Sequence, residues 1–128
     1  MALPIAKMAK RSKIGCRTEN QNKGAPIMKM LLHAVMPNEP FNSSVRNGTA
    51  GITIKKILDD IKPEAVYFTE YGGKRGAILI VDVADPSKVP AICEPFFLAF
   101  NAEVSLHAVM TPEDLAKAGL DKIGKKWG

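Results

Sequence analysis

The stretch EAVYFTEYGGKRGAILIVDVA, residues Glu64–Ala84, decides the fold. Its first part, Glu64–Tyr71, has the β-branched and aromatic content of a strand. The run Gly72-Gly73-Lys74-Arg75-Gly76 is read as a hairpin loop, rich in the glycines that positive φ angles require. Ala77–Ala84 (AILIVDVA) is the most apolar run of the chain and reads as a buried strand. Two strands joined by so short a loop pair antiparallel.

Upstream, Ile54, Ile57, Leu58 and Ile61 recur at i, i+3, i+4 and i+7, one apolar stripe of a helix. Asn42, Ser43 or Ser44 can cap it, Gly48 and Gly51 weaken its front half, and Lys62-Pro63 stops it. Before it, Pro37–Phe41 reads as a loop, and Met28–Met36 (MKMLLHAVM) is apolar on both faces, as a central strand is. Downstream, Asp85-Pro86 starts a second helix, which Pro90 and especially Pro95 are expected to kink or break near Glu94. Asn101–Met110 (NAEVSLHAVM) is the fourth strand. Thr111-Pro112-Glu113-Asp114 starts a last helix with a threonine cap, an N-terminal proline and two acids near its positive end. Leu115, Gly119, Ile123 and Trp127 run along one side of that helix, and Trp127 is expected to dock it back on the sheet.

The order is β-α-β-β-α-β plus a C-terminal helix, the ferredoxin-like split βαβ arrangement of the α+β class. It predicts an antiparallel four-stranded sheet in the order 4-1-3-2. The chain reads LHAVM twice, at Leu32–Met36 and Leu106–Met110. The internal pseudo-symmetry of this fold relates strand one to strand three, not to strand four. The repeat is therefore two neighbouring strands with the same packing demand, not a duplicated half.

At 128 residues, 46% apolar and 24% charged, the chain has the size and composition of one globular domain. The net charge of +5 sits entirely in residues 1–27, where Lys7, Lys10, Arg11, Lys13, Arg17 and Lys23 face Glu19 alone. Residues 28–128 hold twelve charges of each sign, so the folded body needs no basic face. Residues 1–27 lack a sustained period and read as a flexible basic extension ahead of a domain at 28–128. Two cysteines, Cys16 and Cys93, are too few for a disulfide framework, which makes a cytoplasmic protein the expectation. No apolar run is long enough to span a membrane, and no secretory signal is expected.

Strand alternation sorts the polar residues. His33 shares a face with Leu31 and Val35, and His107 with Ser105 and Val109. Asp82 alternates with Val81 and Val83, and Tyr67 with Val66 and Phe68. His33, His107, Asp82, Tyr67, Thr69 and Ser105 are thus placed on the sheet face that two helices leave uncovered, the first four as the candidate ligand-binding residues. The same face carries Leu31, Val35, Ile78, Ile80 and Val109, more apolar surface than a monomer leaves wet. A homodimer packed sheet against sheet follows, with a small, partly apolar ligand between the sheets. The imidazoles suit acid–base work near neutral pH. Two histidines without a third spaced ligand make no metal site, and no cofactor is expected.

The same element order occurs in RNA-recognition motifs. Their third strand needs Lys/Arg-Gly followed by stacking aromatics. Here Arg75-Gly76 is followed by Ala77, Leu79 and Asp82, so no stacking platform exists and nucleic acid is not the expected partner.

Three segments, KPEAVYFTE at Lys62–Glu70, EPFF at Glu94–Phe97 and MTPEDL at Met110–Leu115, carry a family resemblance. Residues 28–120 resemble short bacterial domains of unknown function in the dimeric α+β-barrel superfamily, and are similar in layout to the GYD domain family. The resemblance implies a ferredoxin-like fold and dimerisation through the sheets. It also implies a superfamily containing cofactor-free monooxygenases, muconolactone-isomerase-like enzymes and haem-binding members. No motif diagnostic of these is present, so no catalytic residue carries over. Three functions follow as alternatives: a small-metabolite binder, a cofactor-free isomerase or monooxygenase with His33 or His107 as general base, and an interaction module without chemistry.

Overall fold

A computed structural model describes residues 27–128, together with two short strands, β1 (Ala2–Pro4) and β2 (Lys7–Lys10), that pair antiparallel. The expected flexible extension over residues 1–27 otherwise falls outside the described residues. The body follows as β3 (Met28–Met36), α1 (Asn38–Arg46), α2 (Ala50–Ile61), β4 (Ala65–Tyr71), β5 (Lys74–Val83), a 3-10 turn at Pro86–Lys88, α3 (Val89–Phe100), β6 (Glu103–Ala108), α4 (Pro112–Lys117) and α5 (Leu120–Trp127). Strands β3–β6 form one antiparallel sheet in the order β4-β5-β3-β6, which is the expected 4-1-3-2 order read from its other edge. This α+β architecture is consistent with a ferredoxin-like fold.

The core lies between the sheet and the helices α1–α3. Alternation sends Leu32, Ala34 and Met36 of β3 and Ala77, Leu79, Val81 and Val83 of β5 to that side. Ile57 of α2 and Ile92, Cys93, Phe96 and Phe100 of α3 meet them. Each fully buried large side chain here, such as Leu79 or Phe100, contributes about 2 kcal/mol of transfer free energy. Phe41 of α1 stacks on Phe100 at 4.7 Å, and the Arg75 guanidinium lies over the Phe41 ring, 4.6 Å from its centroid. Burial pushes the Cys93 thiol above its ordinary pKa, so it is an inert part of the core.

Four local expectations change. The first helix is two, broken at Gly48, whose φ of +78° ends α1. Its first turn is held by Glu39, which accepts from the Ser43 amide and hydroxyl, while Asn42 instead accepts from Arg75 at 2.8 Å. The hairpin turn is only Gly72-Gly73, with φ of +59° and +81°, so Lys74, Arg75 and Gly76 belong to β5. Helix α3 runs unbroken through Pro95 because its buried face, Ile92, Cys93, Phe96 and Phe100, holds both halves against the sheet. The fourth change is at the C-terminus. Gly119, at φ +70°, divides the last helix into α4 and α5, and Trp127 does not dock on the sheet but is 77% exposed.

Candidate functional site

The open face of the sheet is ordered by its register. One row across the strands is Tyr67–Ile78–His33–Ser105, and the next is Ala65–Ile80–Leu31–His107. On one flank of these rows Asp82 stands opposite Lys29, and on the other Gly76 stands between Thr69 and Val35. All four residues singled out by alternation, His33, Tyr67, Asp82 and His107, therefore share this face.

They do not form one cluster. Asp82 lies four residues along β5 from the partner of His33, about 13 Å away at strand rise. It pairs with Lys29 at 3.5 Å, and Lys29 also binds Glu64. The hydrogen bond to Glu64 is the main reason that the Lys29 pKa is raised, with the Asp82 charge adding to it. Asp82 is thus committed to an ion-paired trio. His107 is exposed and diagonal to His33 across β3–β6, about 7 to 8 Å between Cα atoms. Tyr67 lies two strands from His33, with Ile78 between them, and is 67% exposed.

His33 is the distinctive member. Its Nε2 is the single buried side-chain nitrogen or oxygen without a hydrogen-bond partner among the described residues. The imidazole lies over Gly76: a Cβ built there would stand 3.4 Å from His33 Nε2 and 3.3 Å from Thr69 Cγ2. Tyr71 closes the notch, meeting the His33 ring edge-to-face at 5.0 Å and 88°. A hydrogen-bonding ring is thus held in an apolar floor of Val35 and Ile78, with one nitrogen unsatisfied. Tyr71 is itself exposed, at the mouth of the hairpin. Sequence reasoning placed His33 and Thr69 on this face and Tyr71 in the same alternating set, but it missed Gly76. The available signal was a glycine within a strand, which marks close approach of another group; assigning Gly76 to the loop hid it.

Two clefts lie nearby or opposite. One, of about 130 Å³, is lined by Val35, Pro37, Lys74, Asn101 and Glu103 at the Gly76 end of the open face. The other, of about 740 Å³, runs between α2 and α3 on the helical layer, away from these residues. Among the described residues no three His, Cys, Asp or Glu side chains stand together as metal ligands, and no helix is long and apolar enough to cross a membrane.

The chain matches no protein-family model and no curated protein. Among solved structures it is similar to a de novo designed protein, Foldit4, at 16% identity, covering 67% of this chain and 99% of that one with a TM-score of 0.39.

Proposed function

We propose that this is a homodimeric small-molecule-binding domain, packed through its open sheet faces, that holds a small, partly apolar metabolite at His33. The observation that carries this is the unpartnered, buried Nε2 of His33 in the Gly76 notch. An unsatisfied buried polar atom costs about 1 to 3 kcal/mol, a cost that a ligand hydroxyl or carbonyl placed there would relieve. Leu31, Val35, Ile78 and Ile80 around it supply the apolar contact. The resemblance to dimeric α+β-barrel domains points the same way. A second reading, acid–base catalysis such as isomerisation or cofactor-free oxygenation, uses the same nitrogen as general base and favours His33 over the exposed His107.

Native mass spectrometry of the freshly purified protein tests this directly, since it counts subunits and retained small molecules together. A dimer with a low-mass adduct that disappears in His33→Leu is the expected result. A monomer would remove the sheet-face dimer. A bare dimer whose His33 ring-nitrogen NMR signals ignore a panel of small hydroxylated and carbonyl compounds would leave an interaction module without a ligand.

A further inference from the structure

The central strand leaves the sheet before its neighbours do. Strand β3 ends at Met36, and Pro37 carries the chain out into α1. Beside it β5 reaches further, to Lys74 opposite Tyr71. On the other side Asn101 closes α3 at φ +55°, and β6 starts at Glu103 opposite Val35. Pro37 therefore stands in a gap between Lys74 and Asn101, and this gap is the cleft of about 130 Å³.

The two walls of the cleft have opposite sign. Lys74 supplies an ammonium on the β5 side. The β6 side has the Glu103 carboxylate and, next to Asn101, the C-terminal end of α3, whose last carbonyls carry partial negative charge. Val35 and Pro37 make an apolar floor, and the Asn101 carboxamide can both donate and accept. Elsewhere in the body Lys29 pairs with Glu64 and Asp82, Arg46 with Glu39 and Lys55 with Asp59. Lys74 and Glu103 line one cleft, yet neither belongs to an ion pair among the described residues. By register they stand two strands and two residues apart, about 12 Å between Cα atoms at ordinary strand spacing and rise. A molecule spanning them brings an anionic group to Lys74 and a cationic group to Glu103. The cleft has room for about four waters at roughly 30 Å³ each, so that molecule has a short carbon chain.

We propose that this cleft binds a small zwitterion with the chemistry of a free amino acid: its carboxylate on Lys74, its ammonium on Glu103 and its carbon chain on Val35 and Pro37. The site needs neither the sheet-face dimer nor His33, so it goes beyond the reading above.

The test is an amide NMR titration of the isotope-labelled full-length protein with L-alanine, and with acetate and ethylamine as carriers of one charge each. Saturable shifts at the amides of Val35, Lys74, Asn101 and Glu103 are expected with L-alanine, and binding weaker by roughly threefold or more with either one-charge compound. Lys74→Met and Glu103→Gln are each expected to weaken L-alanine by roughly threefold or more. Both side chains are exposed, so the variants are expected to fold. The double exchange Lys74→Glu with Glu103→Lys is expected to restore binding, because the zwitterion can turn round; a loss of local structure would not be rescued in this way. His33→Leu is expected to change nothing. Absence of any saturable shift overturns the proposal, and so does acetate bound as tightly as L-alanine, which would make the cleft an anion site. Shifts that vanish in His33→Leu would put the alanine in the His33 notch, overturning the separate site and leaving the earlier reading intact.

Discussion

His33 and Gly76 belong to one structural feature, and substitutions at the two positions test it from its two sides. A buried nitrogen without a partner costs stability, and replacing it by an apolar group of similar size removes the cost. His33→Leu is therefore expected to raise the thermal midpoint, by the equivalent of about 1 kcal/mol, while abolishing ligand retention. A drop in stability would show instead that the imidazole has a partner in solution. Gly76→Ala acts from the other side of the contact. Its methyl would stand 3.3 to 3.4 Å from Thr69 Cγ2 and His33 Nε2, so the imidazole must shift. We expect folding to survive, with the His33 ring-nitrogen NMR signals displaced and affinity reduced; unchanged signals would mean that the notch does not seat the ring. The four candidate residues were legible by alternation alone, because their shared face depends only on strand period. Their separation was not, since it depends on register: Asp82 faces Lys29, and nothing in the spacing of single residues discloses that pairing.

At the scale of elements, the capping box of α4 carries a pH dependence. Thr111 Oγ1 accepts from the Asp114 amide at 3.1 Å, and the Asp114 carboxylate accepts from the Thr111 amide at 3.1 Å. The latter bond depresses the Asp114 pKa in the folded chain. The stabilisation is thus fully present above the unfolded value, about pH 4, and is lost as pH falls through the lower folded value. The protection of amides over Thr111–Lys117, measured against their intrinsic exchange rates, is expected to fall on acidification in that window, and Asp114→Asn to abolish that pH dependence. This cap was readable from four residues because its interactions are local. The strand order was readable as well, since hairpin and helix lengths restrict the connections. What escaped was tertiary override. Proline at position 95 argues for a break, yet four buried side chains on α3 keep the helix whole. Pro95→Ala is accordingly expected to stabilise the protein, by up to about 3 kcal/mol in chemical denaturation, because it restores a helical amide donor. A loss of stability would mean that α3 needs the proline's packing more than the hydrogen bond.

For the whole molecule, the deciding asymmetry is between the two sides of the sheet. One side is closed by α1–α3 over a core that includes Leu32, Leu79 and Phe100; the other leaves Leu31, Val35, Ile78 and Ile80 half-buried. If a second copy covers that side, stability must depend on concentration, because a dimer that dissociates on unfolding is favoured by mass action. Each tenfold rise in protein concentration is then expected to raise the thermal midpoint by roughly 2 to 4 °C for a chain of this size. Ile80→Lys separates this from ordinary core loss. Ile80 faces Ala65 and Leu31 on the open side, where a lysine head can reach water in a monomer but is trapped without a partner between two sheets. The variant is expected to be monomeric by native mass spectrometry, to keep its circular dichroism, and to melt at one temperature whatever the concentration. A native protein whose midpoint is already independent of concentration, and an Ile80→Lys that changes nothing, would together mean that this face meets solvent.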